Sequence, residues 1–126
     1  MTHFHLFVYG TLQSGAGANQ LLAGASRVGT GSVGGVLYDI DGEYPALILY
    51  GNSPVEGKVW HCPAPLLKTL DAYERTVTGL FRRVGVEVRA SDGSMIPGWT
   101  YVAGPSLAAR LTPARRVEAW KVTARR

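Results

Sequence analysis

The segment Arg82 to Arg89 leaves this chain the fewest folding options. Val84, Val86 and Val88 share one side of an extended strand, while Arg83, Gly85, Glu87 and Arg89 share the other. A helix would scatter both sets around its axis, so the segment reads as a strand covered on one face only. Asp92-Gly93 supplies a hairpin turn, and Ile96 to Val102 is the returning strand. Similar runs occur earlier: His3 to Val8, Val36 to Ile40, Ala46 to Leu49 and Val55 to Trp60, with Asp41-Gly42 and Asn52-Ser53-Pro54 as turn signals between them. Strands joined by short hairpins with little helix imply an α+β fold whose sheet curls into a small barrel.

Leu6, Phe7 and Val8 are apolar in succession, which places the first strand in the middle of a sheet with both faces covered. His3 and His5 share one side of it, but no third ligand follows at a suitable spacing, so they read as surface or packing residues and no metal is expected. The single cysteine, Cys62, excludes an internal disulfide and reads as a small core residue. At 126 residues the chain suits one domain, here residues 1–105, followed by a basic extension over 106–126. Leu107 to Trp120 reads as a helix docked on the outside of the barrel, restarted at Pro113.

The formal net charge is +4, with Arg110, Arg115, Arg116, Lys121, Arg125 and Arg126 concentrated late. No aromatic residues alternate with these charges to make a stacking platform, which argues for a solvated basic tail and against a nucleic-acid partner. No stretch approaches the roughly 20 apolar residues needed to cross a bilayer, and no basic segment leads into an apolar run. A soluble, cytoplasmic protein without membrane contact is expected.

Gly29-Thr30-Gly31-Ser32-Val33-Gly34 satisfies the spacing of a dinucleotide-binding loop. That loop must open a helix, whereas Val36 to Ile40 follows as a strand, so nucleotide binding is not expected. Asn19 to Leu22 reads as a short helical turn ending at Gly24.

Two stretches carry the chemistry. The first is Tyr9-Gly10-Thr11-Leu12, which continues directly from the first strand. Gly10 permits close backbone approach, so the loop is suited to offering N–H groups to one small carboxylate; a simple chain reversal would use glycine in the same way. The second is the helix Pro63 to Arg75. At 100° per residue Leu66, Leu67, Leu70 and Tyr73 form an apolar stripe, Lys68, Asp71 and Arg75 lie outside it, and Glu74 falls inside. Burial of a carboxylate favours its protonated form and tunes it toward proton transfer near neutral pH. If the helix ends at Glu74, the side chain instead points to water beside Arg75.

Together these stretches resemble the γ-glutamylcyclotransferase-like, or AIG2-like, family. The residues that carry the resemblance are Tyr9-Gly10-Thr11-Leu12, Leu37-Tyr38-Asp39, Tyr44-Pro45-Ala46, Val55-Glu56-Gly57-Lys58-Val59, Leu70-Asp71-Ala72-Tyr73-Glu74 and Phe81-Arg82-Arg83, in that order. They run from Phe4 to Val102. The resemblance implies a barrel of five or six strands with a cavity at one end. It also implies substrate binding by the Tyr9, Gly10, Thr11 and Leu12 backbone, Glu74 as the general base, and neither metal nor organic cofactor. Arg75 stands where the family often has glycine, and Phe81 where it often has tyrosine; both bear on substrate choice.

The implied reaction is internal. The α-amine of a γ-glutamyl compound attacks its own γ-carbonyl, Glu74 takes the amine proton and returns it to the departing amine, and 5-oxoproline is released. Tyr38 and Tyr101 are candidates for lining the cavity or for packing the core. A reading of another class stays open at this level: a noncatalytic barrel that binds a small carboxylate and uses its basic tail for a partner.

Overall fold

The computed structural model describes residues 2–9, 22, 24–40, 44–73, 80–113 and 116–117. Five strands close a barrel in the order β1, β5, β2, β6, β7. These are β1 (His3–Val8), β2 (Ser26–Gly34), β5 (Pro54–Pro63), β6 (Phe81–Ala90) and β7 (Met95–Ala103). All neighbours are antiparallel except β1 and β7, which meet in parallel through Leu6 and Trp99 and close the ring. The barrel is therefore mixed, and its five strands agree with the five or six expected. The hairpin of β3 (Val36–Ile40) and β4 (Tyr44–Ile48) does not join it; with β8 (Arg116–Val117) it forms a separate three-stranded sheet.

Alternation along the strands sorts the apolar residues into two cores. One draws Phe7, Val33, Val55, Val59, Val88 and Val102 from all five barrel strands and fills the barrel, with Leu37 and Leu47 of the small sheet joining it. The other gathers Phe4, Leu6, Val8, Cys62, Tyr101 and Ala103 beneath helix α1 (Leu66–Tyr73), which contributes Leu70. The first strand is thus covered on both faces, as its apolar run requires.

Two expectations are corrected, and one further segment gains an element. The glycine-rich Ser26–Gly34 is itself a strand, and Gly31 is needed there because a methyl group would stand 2.6 Å from Val88 Cγ1 and 3.1 Å from the Arg89 carbonyl. The helix is shorter than Pro63 to Arg75 at its start: Pro63 still pairs with His3 in the β1–β5 ladder, and the helix opens at Leu66. The tail does not continue as one helix. It makes a short helix α2 (Pro105–Ala108), whose Leu107 is buried, and then Arg116 and Val117 pair with Tyr38 and Leu37. An extended backbone at Val117 satisfies the free edge of β3 while its side chain joins the barrel-filling core. The expected turn at Asn19 to Leu22 lies outside the described residues except for Leu22, which is buried and precedes Gly24 at φ +86°. No helix among the described residues is long and apolar enough to cross a membrane.

Candidate functional site

The site forms where three elements meet: the end of β1, the last turn of α1 and the second half of β7. Tyr9 directly follows β1 and is buried, with its ring tilted against Phe7 at a centroid distance of 6.3 Å. A buried phenol needs a partner, and the Tyr9 hydroxyl donates to the main-chain carbonyl of Tyr101. Tyr101 is buried too, and its own hydroxyl donates to Asp71 Oδ1 at 2.6 Å. The same oxygen accepts from Arg83 Nε at 2.9 Å. Arg83 in turn lies over the Trp99 ring, 4.3 Å from its centroid, an attraction between a cation and the negative face of an indole.

Each of these positions follows from strand or helix period. Trp99, Tyr101 and Ala103 alternate on β7 and point toward the core under α1. Arg83 and Tyr101 are direct cross-strand partners in the β6–β7 ladder, so one carboxylate can meet both. Asp71 follows Leu70, the one fully buried residue of α1, and lies at the edge of the covered face with its side chain 28% exposed. Two donors on one carboxylate oxygen, one of them a guanidinium, are stronger than a pair of neutral hydrogen bonds.

Of the residues expected to form the site, Tyr9 is placed, at the core end of the strand that leads into the loop. Gly10, Thr11, Leu12 and Glu74 lie outside the described residues; their described neighbours in sequence are Tyr9 and Tyr73. Tyr73 itself departs from the expected apolar stripe and is 46% exposed, whereas Asp71, expected toward solvent, carries the hydrogen bonds. The helix turns that edge toward polar partners on β6 and β7, which its own periodicity does not reveal. Asp71 and Arg83 were legible as parts of two motifs, although nothing in the sequence paired them. Tyr101 resolves as a buried core residue with both ends of its polar inventory engaged.

The His3–His5 pair gains a neighbour in space. His61 is the cross-strand partner of His5, its ring is tilted against that of His5 at 5.2 Å, and it stacks on His3 at 4.6 Å. Among the described residues no group of three or more His, Cys, Asp or Glu side chains is arranged to hold a metal ion.

The fold has solved relatives. A mouse AIG2-like protein superposes with a TM-score of 0.76 at 20% identity, over 96% of this chain and 90% of that one. A protein of Arabidopsis thaliana gives 0.72 at 24% identity, over 91% and 75%. A structure titled γ-glutamyl cyclotransferase gives 0.70 at 17% identity, over 80% of this chain and 66% of that one, so the chain spans just under two thirds of that relative. No curated protein matches the chain. The model of one family, described as γ-glutamyl cyclotransferase, AIG2-like, matches residues 6–122, from within β1 to beyond β8. By that match the chain belongs to the γ-glutamyl cyclotransferase, AIG2-like family.

Proposed function

We propose that this protein is a γ-glutamyl cyclotransferase. Its substrate is a γ-glutamyl amine or γ-glutamyl amino acid, its products are 5-oxoproline and the released amine, and it uses no cofactor. The backbone N–H groups of the Tyr9 to Leu12 loop receive the substrate's α-carboxylate, and Glu74 acts as general base and then general acid.

The observation that supports this reading most directly is the pair of hydrogen bonds made by Tyr101. One reaches Tyr9, where the chain enters Gly10-Thr11-Leu12, and the other reaches Asp71, in the helix turn that leads into Glu74. Tyr9 and Asp71, far apart in sequence and each at or near one of the two stretches, are thereby fastened to a single residue. Family membership supports a cyclotransferase type of reaction.

In the proposed reaction the nucleophile and electrophile belong to one molecule, so the protein's first task is to hold the glutamyl chain folded. A free α-amine is largely protonated at neutral pH, and its proton must leave before the nitrogen can attack. Once the amine is neutral, Glu74 accepts the second proton, which the nitrogen sheds as its bond to the γ-carbonyl carbon forms, and passes it to the leaving nitrogen as the original amide bond breaks. The first proton, lost to solvent by the ammonium, is taken up again when the released amine protonates, so none is gained or lost overall.

The test is to incubate the protein with a panel of γ-glutamyl amines and γ-glutamyl dipeptides and to measure 5-oxoproline. Turnover is expected with at least one member, and Glu74→Gln should abolish it while circular dichroism stays native. Near-native turnover by Glu74→Gln would remove the mechanism, and no product from any member would remove the function.

A further inference from the structure

The proposed chemistry uses the loop and Glu74 but gives no work to the polar cluster of Asp71, Arg83 and Tyr101. Tyr101 and Asp71 are held in a specific arrangement: the buried Tyr101 phenol donates at 2.6 Å to a carboxylate that also accepts from Arg83 Nε at 2.9 Å, while the Tyr101 main-chain carbonyl accepts from the Tyr9 hydroxyl. Arg83 is itself fixed by Trp99. The guanidinium and the phenol approach one oxygen from two different strands, so the last turn of α1 is pinned to the barrel from β6 and from β7.

Glu74 follows Asp71 by three residues in the chain, so the alignment of a proton acceptor at that position depends on how firmly Asp71 is held. Misplacement by about 1 Å is enough to cost about a hundredfold in rate.

We propose that Tyr101 and Asp71 are positioning residues for the cyclisation. Tyr101 ties the root of the carboxylate-binding loop to the helix turn that carries the general base, so that a substrate seated in the loop is presented to Glu74 in register. The inference rests on the cyclotransferase reading and extends it to residues to which that reading gives no chemical step. It assigns the two bonds of Tyr101 to different kinetic constants: the Asp71 bond governs the alignment of the base, and the Tyr9 bond governs the loop.

The experiment compares Tyr101→Phe, Asp71→Ala, Asp71→Asn, Tyr9→Phe and the Tyr101→Phe/Asp71→Ala double variant with the native protein, using whichever γ-glutamyl substrate the native protein turns over. Tyr101→Phe removes only the hydroxyl and should lower kcat about tenfold with KM within about twofold. Asp71→Ala should lower kcat at least as far, and the double variant no further than Asp71→Ala, because both single changes delete the same bond. Asp71→Asn keeps an acceptor oxygen for both donors and should recover most of what Asp71→Ala loses. Tyr9→Phe should instead raise KM, about tenfold, with kcat little changed.

An unchanged kcat in Tyr101→Phe, or losses that multiply in the double variant, overturns the proposal. So does a loss in Asp71→Asn equal to that in Asp71→Ala, which would make the charge rather than the bond responsible. Melting curves separate these outcomes from a lower folded fraction: a kcat loss matched by the loss of folded protein also overturns it. Absence of turnover in the native protein identifies the parent reading as the failure and takes this one with it, whereas native turnover with unmoved variants sinks this inference alone.

Discussion

Thr100 Oγ1 donates to the Phe7 carbonyl at 2.9 Å, from a residue with no exposed surface, at the seam where β7 and β1 meet in parallel. Only the pair Leu6 and Trp99 is in register there, so this side-chain bond supplements a short ladder. Thr100→Val keeps the shape and deletes the donor. It should destabilise the protein by about 1–2 kcal/mol, read as a lower urea midpoint at unchanged slope. An unaltered midpoint would show that the seam does not depend on this bond.

Gly57 marks the tightest approach between β5 and β1. A methyl group there would stand 2.8 Å from Phe7 Cζ and closer still to the Val8 carbonyl oxygen. The carbonyl belongs to a ladder and cannot swing aside, so Gly57→Ala should cost about 2–3 kcal/mol of stability. Gly85, where a methyl group would come no nearer than 3.9 Å to the Gly98 carbonyl, is the internal control. Gly85→Ala should shift the melting temperature far less, and equal losses at both positions would refute the steric explanation.

His5 is held below its ordinary pKa of 6.5, first by burial and second by the charge of His61. A base whose folded pKa is depressed adds stability that is fully present above 6.5 and lost as pH falls through the lower folded value. Replacing His61 by Asn removes only the second cause. The His5 ring should then titrate partway back toward 6.5 in an NMR pH series, and a curve identical to the native one would exclude His61 as a contributor.

Burial pushes the Cys62 thiol up to about 11 from 9.0. At pH 8 only about one thiol in a thousand is ionised, so a colorimetric disulfide reagent should react slowly with native protein and fast after denaturation. The stability tied to this thiol is complete below 9.0 and is lost as pH rises past about 11. Rapid labelling of the native protein would place Cys62 outside the core.

The sequence was most legible where strand period and turn chemistry agree. Val84, Val86 and Val88 with Asp92-Gly93 locate β6, the turn and β7, and Gly93 does adopt φ +90°. β2 was obscured because Gly31 answers to Val88 and Val59 on the two neighbouring strands, partners that local pattern cannot supply. The β3–β4 hairpin was visible, but its departure from the barrel was not, since that depends on Arg116 and Val117 taking the edge of β3. At the site, the helix period excluded Asp71 from the apolar stripe and so hid its role. Its partners, Tyr101 and Arg83, become neighbours only when β6 and β7 pair.

The parallel contact of β1 with β7 has a consequence for biosynthesis. The barrel strand made first is completed by the barrel strand made last, so during translation β1 has β5 on one side and nothing on the other until Trp99 and Thr100 have left the ribosome. Ring closure is therefore a late, long-range event that makes folding slow relative to a hairpin of the same size. Chains halted before that point expose unpaired strand edges, and it is these fragments, rather than the finished protein, that quality-control machinery must keep from aggregating.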